Sequence, residues 1–415
     1  MPQLLFFLLL SLQLQAHILS PVVNLSHPDQ KCNEPSVVLH PNDPQRMMVA
    51  TNGTHIFYTS GKDSFQHIQP ESSMGIKGDP VLLYDEDGIC YFVHLAKNKT
   101  KNRPAYFDQI VIQKTSDHGA TWNDGVGTGI NGKMHDKPWL SADRNILSPF
   151  RGSLYLTWTQ FDGYESQDPG DSSRILFACS RNQAESFSEA VVISDQSGDC
   201  MDDDSTMEGA TTCIGPDGSI YAAWAGFNQI YLDRSFDGGR TWGKDQIVMK
   251  VAGGWSLDQP KLYRSNGLPF LNADVEGHLS LCTVVKEKGH HVVVVADSKD
   301  QGKHWAESVN VFRDDADYIM PHAYLDATNG NYYILCYRIQ DGLMDVMLAY
   351  RKKGEKHFTT VKVNEQSFAL PGELLFMGDY INVCAKGNLI VCVWTEPRDG
   401  STVVKLRKIE LAGPK

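Results

Sequence analysis

The chain is short of positive charge and of the common catalytic motifs. Its 415 residues carry 38 lysines and arginines against 50 aspartates and glutamates, which gives a formal net charge of −12. Nucleic-acid binding needs a basic face that displaces counterions, so no nucleic-acid partner is expected. No Walker P-loop, HExxH or GxSxG motif occurs, and none of the nine cysteines belongs to a CxxC pair. P-loop, zincin, hydrolase-elbow and zinc-ribbon chemistry therefore have no support in the sequence.

Long apolar runs are also missing, apart from one at the start of the chain. Residues 1–16 carry no charge, and the apolar run over residues 4–10 is too short to span a bilayer but long enough for the core of a signal peptide. Ala16 offers the small residue of a cleavage site, although a basic flank is absent; a buried strand or a weak anchor is the alternative. We expect a signal peptide over residues 1–16 and one exported domain over residues 17–415, which is secreted, periplasmic or on the cell surface. No membrane insertion of the mature chain is expected.

A short repeat recurs along the chain. The pattern Ser/Thr-x-Asp-x-Gly-x-x-Trp occupies residues 115–122, 235–242 and 298–305, and a decayed copy covers residues 180–187. The Asp can accept hydrogen bonds from turn amides, the Gly can take a positive φ, and the Trp can pack beneath the loop. Each copy follows a run rich in β-branched and aromatic residues, so the pattern predicts a repeated β-hairpin turn.

Seven polar residues, several of them just before a proline, open successive units of three or four short strands. Repetition of this kind is typical of a β-propeller, an all-β fold of radial blades around a channel. We predict seven blades, with six as the alternative, and an N-terminal strand near residues 20–26 that closes the last blade by pairing its open edge. The seven residues are Glu34, Asp79, Asp136, Glu208, Asp258, His322 and Asp379.

The octapeptide with Asp117, Asp237 and Asp300 resembles the Asp-box, or BNR, repeat of the sialidase superfamily, and the resemblance covers residues 33–411. It extends to secreted sialidase-like propeller proteins through residues 33–36, 136–139, 197–200, 208–210, 253–255 and 378–380. The resemblance implies an exo-acting glycosidase with three arginines that clamp a substrate carboxylate, an Asp acid and a Tyr–Glu nucleophile pair. The first of those arginines lies in a Phe-Arg-Ile-Pro-like motif, which this chain lacks, and the triad is not identifiable by motif.

If the seven units superimpose, their opening residues meet in one polar ring at a channel mouth. Crowded carboxyl groups there would have shifted pKa values, as acid–base cleavage of a glycoside requires. The alternative is a structural ring that only holds the blades together. As catalytic candidates we take Asp136, Glu208, Asp379 and His322, and as substrate-binding candidates Glu34, Asp79, Lys137, Trp139, Trp255, Asp258, Arg338 and Tyr380.

An acidic loop over residues 195–206 suggests a Ca²⁺ site with Asp199, Asp202 and Asp204 as ligands, because hard cations prefer oxygen. The loop lacks EF-hand spacing, so a solvated acidic loop is the alternative, and no cofactor is required for the expected chemistry. Three functions remain open: a glycoside hydrolase acting on carbohydrate or glycoconjugate, a non-catalytic carbohydrate- or protein-binding propeller, and a polysaccharide lyase with Tyr or His as its base.

Overall fold

Seven antiparallel sheets follow one another along the chain and are arranged as a β-propeller. The structure is a computed structural model that describes residues 17–59, 64–97, 107–129 and 132–412. Each inner strand contacts the inner strands of both neighbouring blades, and the last inner strand contacts the first, which closes the ring. The prediction of seven blades is confirmed, and the six-blade alternative is wrong. The expected signal peptide over residues 1–16 lies outside the described residues.

Each blade is a meander that runs from the channel outward, with four strands in five of the sheets and five strands in the other two. Among the described residues, a 3₁₀ helix, Pro28–Gln30, precedes the first blade. The strands of the N-terminal segment and of blades one to three are β1 (His17–Leu19), β2 (Val23–Asn24), β3 (Ser36–His40), β4 (Asp43–Thr51), β5 (His55–Tyr58), β6 (Gln66–Ile68), β7 (Gly78–Tyr84), β8 (Cys90–Ala96), β9 (Gln109–Thr115), β10 (Val126–Gly127), β11 (Met134–Ala142), β12 (Leu154–Phe161), β13 (Ser173–Ser180) and β14 (Val191–Val192). Those of blades four to seven are β15 (Glu208–Ile214), β16 (Ile220–Gly226), β17 (Gln229–Ser235), β18 (Gln246–Lys250), β19 (Phe270–Ala273), β20 (Leu279–Glu287), β21 (His290–Ser298), β22 (Val309–Asn310), β23 (Asp317–Leu325), β24 (Tyr332–Gln340), β25 (Leu343–Arg351), β26 (Thr359–Lys362), β27 (Phe368–Ala369), β28 (Asn382–Lys386), β29 (Leu389–Arg398) and β30 (Ser401–Leu411).

The second strand of each blade carries much of the core. Every residue of β8, β12 and β16 is buried, because a blade packs against a neighbour on both of its faces. Their sequences are accordingly near-continuous apolar runs instead of alternating ones. Trp158, Trp224 and Trp394 lie at the centres of such strands and are at most 1% exposed.

The N-terminal segment closes the last blade, as predicted. β1 and β2 both pair antiparallel with β30, with His17 opposite Leu411 and Val23 opposite Leu406. The Arg407 guanidinium donates a 2.6 Å hydrogen bond to the Ser20 carbonyl and fastens the link between them. An edge of β30 that would otherwise be open to another chain is thereby covered.

The repeated octapeptide forms the outer turn of a blade. In the copy after β17, the Asp237 carboxylate accepts hydrogen bonds from the Thr241 amide at 2.9 Å and the Thr241 hydroxyl at 2.6 Å. Gly239 has φ +85° and donates to the Ser235 hydroxyl at 2.9 Å. Trp242 packs edge-on against Phe177 of the neighbouring blade, with 4.9 Å between the ring centroids. The copy therefore joins two blades as well as two strands.

A kink at the start of the inner strand recurs from blade to blade and positions the site. A break in the ladder register follows Gly78, Asp136, Glu208 and Ile319. The next residue has a positive φ in each case. These residues are Asp79 (+52°), Lys137 (+47°), Gly209 (+68°) and Met320 (+51°), and Glu34 at the start of the first blade has a φ of +50°. A non-glycine residue in this region carries strain, and repeated strain at one place in a fold points to a functional site.

Two further features bear on function. Residues 127–132 match GxGxxG, but the stretch begins at the end of β10 and precedes β11 instead of a helix, so it lacks the strand–helix context of a dinucleotide site. Among the described residues there is no helix long and apolar enough to cross a membrane.

Candidate functional site

Six carboxyl groups and two cations meet at one end of the channel. We call this set the acidic ring; its members are Glu34, Asp79, Asp136, Asp202, Glu208, Asp379, Lys137 and Arg264. The carboxyl-bearing residues from the inner-strand entrances are 0–8% exposed, whereas the Arg264 side chain is 34% exposed. Arg264 therefore marks the solvent side of the ring.

Asp379 is the best-compensated carboxylate of the acidic ring. The Arg264 guanidinium binds it with two nitrogens, Nε to Oδ1 at 2.7 Å and Nη2 to Oδ2, and the Lys137 ammonium binds Oδ2 as well. Burial by itself would raise the pKa of Asp379, but Lys137 and Arg264 overcome this effect and hold the pKa below its ordinary value. Asp379 is therefore ionised at neutral pH.

Arg264 connects the inner-strand residues to the acidic loop. Its Nη1 donates to Asp202 Oδ2 at 2.8 Å and to the Tyr164 hydroxyl at 3.3 Å. Tyr164 in turn donates to Asp202 at 2.6 Å. The guanidinium lies 5.0 Å from the centre of the Phe376 ring, so an aromatic side chain also supports it.

Glu34 links the first blade to the last. One of its oxygens accepts the Asp379 amide at 2.9 Å, and the other accepts the side-chain amide of Asn52. Asn52 also accepts a hydrogen bond from the Asp79 amide at 3.0 Å, so it holds the residues at the start of the inner strands of blades one and two. Burial and the Asp379 charge raise the pKa of Glu34, although Lys137 and Arg264 act in the opposite direction.

Asp136 and Asp79 form a coupled pair of carboxyl groups. Burial, the Asp79 charge and a hydrogen bond to Asp79 raise the pKa of Asp136 to about 8. Asp136 also accepts the Lys137 amide at 2.8 Å, and the Lys137 ammonium lies 3.8 Å from Asp79. At neutral pH the arrangement is a protonated Asp136 that donates to Asp79, since like charges this close cannot both ionise at low cost.

Glu208 is the most deeply buried acid of the ring. It is 0% exposed, and burial raises its pKa well above the ordinary value, with the charges of Asp202 and Asp136 adding to the effect. The Thr159 hydroxyl lies beside it and lowers the pKa slightly, yet neither carboxyl oxygen has a hydrogen-bond partner of ordinary geometry among the described residues. Burial therefore favours the protonated form of Glu208, and no described neighbour of ordinary geometry accepts a hydrogen bond from it.

Other predicted site residues lie below the ring or away from it. Trp139 and His322 line the channel one level deeper, where His322 packs against Phe270 at 4.6 Å. Burial lowers the pKa of His322 to about 3, and its Nδ1 accepts the Val383 amide at 3.3 Å. Tyr380 also lines the channel, and burial together with the Asp79 and Glu34 charges raises the pKa of its hydroxyl well above the ordinary value.

Three predicted substrate-binding residues, one of which was also expected in the ring, lie away from the acidic ring. Asp258 is exposed on the loop before β19, because the entrance to blade five is Gly267-Leu268-Pro269 and not the earlier Asp-Gln-Pro stretch. Trp255 is 6% exposed and packs in an apolar cluster between two blades, so its ring is not available to stack on a sugar. Arg338 lies with Asp314 and Asp345 in a separate cavity of about 610 Å³, because it comes from the second strand of its blade.

The equivalence of the opening residues also needs correction. By ladder register, Asp136 and Glu208 precede the kink, whereas Lys137 and Asp79 occupy it. Asp136 is therefore not the counterpart of Asp79. His322 follows the kink by two residues, which explains why it lies in the channel instead of the ring.

The three proposed Ca²⁺ ligands do not converge. Asp199 accepts the Thr206 hydroxyl at 2.9 Å, Asp204 accepts the Ser256 amide at 2.8 Å, and Asp202 binds Arg264. Among the described residues, the one group with three potential ligand atoms within metal-binding distance is Asp274, Glu276 and His278, on a turn of blade five. Asp199, Asp202 and Asp204 each serve a different hydrogen bond.

Sequence reasoning missed Arg264 and Tyr164. Arg264 lies on the loop between blades four and five, and Tyr164 lies on the loop between β12 and β13 of blade three. Both are outside the repeated frame that pointed to the inner strands. No spacing rule could have found them, because loop length and direction decide where their side chains end.

The entrance to blade one departs from the arginine clamp that the resemblance implies. The residues at this entrance are Asn33, Glu34 and Pro35, with no arginine among them, and the Asn33 side-chain amide donates to the Phe376 carbonyl at 3.3 Å. The cations that the acidic ring does contain, Lys137 and Arg264, bind Asp379 of the chain itself.

The comparison with solved structures now settles the fold. A point mutant of the NanB sialidase from Streptococcus pneumoniae superposes with a TM-score of 0.51 and 9% identity over 88% of this chain and 82% of that one. The chain has a sialidase-like β-propeller fold. NanB with a chlorobenzylammonio-ethanesulfonate ligand gives a TM-score of 0.50, also at 9% identity and with the same coverage. Trypanosoma rangeli sialidase in complex with sialic acid gives 0.42 and 14% identity over 85% of this chain and 56% of that one.

Identities this low show the fold of a sialidase-like propeller and nothing about its activity. No protein-family model matches the sequence, and no curated protein sequence matches it significantly. Any statement about chemistry must therefore come from the acidic ring.

Proposed function

We propose that the protein is an exported glycan-acting enzyme, a glycoside hydrolase that uses the acidic ring. The observation that supports this best is the separation of carboxyl pKa values: Glu208 and Asp136 are raised, whereas Asp379 is lowered. Glycoside hydrolysis uses one protonated carboxyl group and one carboxylate, and unlike environments assign these roles.

Glu208 is the proposed general acid. Its proton would pass to the glycosidic oxygen as the bond from that oxygen to the anomeric carbon breaks. The Asp379 carboxylate would stabilise the positive charge that develops on the sugar ring. Water then adds to the anomeric carbon and returns a proton to Glu208, so the enzyme ends in its starting state.

Asp136, Lys137 and Arg264 have positioning roles in this proposal. Asp136 keeps its proton toward Asp79, and the two cations keep Asp379 ionised. Because Arg264 lies on the solvent side of the ring, a sugar that approaches Glu208 passes beside this side chain. The proposal thus assigns substrate entry to the loop that carries Arg264, between β18 and β19.

The test uses amide variants of the two raised acids. Glu208→Gln and Asp136→Asn keep the shape and hydrogen-bonding capacity of the side chains but remove the titrating proton. Turnover is measured on a panel of glycans by mass spectrometry. It should fall at least about 100-fold for Glu208→Gln. Glu373→Gln and Asp315→Asn alter exposed residues away from the ring and serve as matched controls. Unchanged turnover in both ring variants would remove the proposal's basis.

A non-catalytic binding propeller is the second candidate. The ion pairs among Asp379, Lys137 and Arg264 favour it, because such a network can stabilise the packing of the blades without any catalytic role. Saturable binding on a glycan array, with no product from any bound glycan, would support it over the hydrolase. The lyase is less favoured, because the two base candidates, His322 and Tyr380, have pKa values shifted away from that role.

A further inference from the structure

The cations of the acidic ring are saturated by the chain's own carboxylates. Arg264 uses Nε and Nη2 on Asp379 and Nη1 on Asp202, and Lys137 binds Asp379 and lies 3.8 Å from Asp79. Both cations therefore face two carboxylates each. A carboxylate on an incoming sugar would find no free positive group among these residues.

Acidic groups outnumber the cations in this ring. Three aspartates, Asp79, Asp202 and Asp379, share ion pairs with the two cations, and three further carboxyl groups lie around them. A second anion in this setting is repelled, whereas an ammonium group is attracted.

The acidic ring also contains an acid without a hydrogen-bond partner. Both Glu208 oxygens are buried without a hydrogen-bond partner of ordinary geometry, and the buried Tyr380 hydroxyl is likewise unpartnered among the described residues. Buried polar atoms are normally satisfied, so these open groups are suited to a ligand with hydrogen-bonding groups, such as the hydroxyl and amine groups of a sugar.

We propose that Asp379 occupies, from within the chain, the position in which a sugar carboxylate would bind, and that the site therefore selects sugars with a protonated amine over sugars with a carboxylate. The inference rests on the proposed function of the ring as a glycan site. A carboxylated sugar would have to displace Asp379 and leave it buried without its cations, which is costly. An amino sugar leaves that network in place and adds a positive charge to a ring in which carboxyl groups outnumber cations.

Three probes with the same pyranose ring isolate the effect: glucosamine as the cation, glucose as the neutral sugar and glucuronate as the anion. Binding to the full mature chain is measured at pH 6 by saturation-transfer NMR titration. We expect glucosamine to bind at least about tenfold more tightly than glucuronate, with glucose between them. Tighter binding of glucuronate, equal binding of all three, or binding of none would overturn the proposal.

Asp379→Asn tests the assigned residue. It releases Lys137 and Arg264 from their anion, so the preference for glucosamine over glucuronate should fall at least about tenfold. Asp315→Asn is the matched control and should leave the ratio unchanged. Because loss of Asp379 affects a buried network, Arg264→Gln provides a second variant at a partly exposed position, where removal of a cation should increase the preference for the amine. An unchanged ratio in folded Asp379→Asn protein would refute the assignment.

The outcome is separable from the proposed hydrolase. Selective binding of glucosamine without turnover of any glycan upholds this inference and refutes the hydrolase. Release of carboxylated terminal sugars upholds the hydrolase and refutes the inference.

Discussion

Asp136→Asn should change how stability depends on pH, and this prediction tests the electrostatics of the acidic ring without any substrate. Asp136 is 6% exposed, and burial with the adjacent Asp79 raises its pKa from 3.8 to about 8. Between these two values the folded protein holds a proton on Asp136 that the unfolded chain has lost. Stability from this group is therefore complete at low pH and declines as the pH rises toward 8.

The size of the effect follows from the single proton involved. Uptake of one proton on folding lowers the free energy of unfolding by about 1.4 kcal/mol for each pH unit. The Asn variant resembles the protonated acid, can keep the acceptor for the Lys137 amide and can still donate to Asp79. Between pH 5 and pH 7 its stability should therefore fall by about 3 kcal/mol less than that of the parent protein.

The assay is urea unfolding at pH 5, 6 and 7, followed by tryptophan fluorescence and extrapolated to water. All other groups titrate in both proteins, so the difference between the two curves reports on Asp136. Asp315→Asn, on an exposed residue, should give a curve parallel to the parent. A parallel curve for Asp136→Asn as well would show that Asp136 is ionised in the folded state, and the proposed assignment of protons would then be untenable.

Three further predictions concern the fold and the ring. Gly239→Ala places a methyl group 2.2 Å from the Phe177 ring at a residue with a positive φ, so it should lower the free energy of unfolding by about 3 kcal/mol in a urea titration. Gly342 also has a positive φ but has open space around it, so Gly342→Ala should lower the same free energy by only about 1 kcal/mol. Deletion of residues 17–24 uncovers the edge of β30, so light scattering should reveal concentration-dependent association that the intact chain lacks. Lys137→Met leaves buried carboxylates without their cation and should lower the free energy of unfolding by about 3 kcal/mol. In thermal unfolding the loss of stability should be larger at pH 8 than at pH 5. An equal loss of stability at both pH values would contradict an ionised Asp379 beside Lys137.

The local patterns of the sequence led to most of the architecture because each propeller blade repeats the same short-range rules. The octapeptide around Asp237 forms the predicted turn, and Trp158, Trp224 and Trp394 fill blade cores. The same local argument failed at Asp258, where a polar residue before a proline imitates a blade entrance but belongs to a loop. A pattern of two or three residues carries no information about the strand pairing that distinguishes the two cases.

For the site, the sequence determined which acids stand at the strand entrances: Glu34, Asp79, Asp136, Glu208 and Asp379. Their spacing follows the blade repeat. When similar blades close into a ring, residues at the start of the inner strands come together regardless of the length and path of the loops. Only the tertiary structure decided that Lys137 and Arg264 neutralise Asp379, that Asp202 joins the ring, and that Glu208 is left without a partner. These facts depend on loop paths and on burial, and the charge state of a buried carboxyl group depends on all of its neighbours at once, which no stretch of sequence specifies by itself.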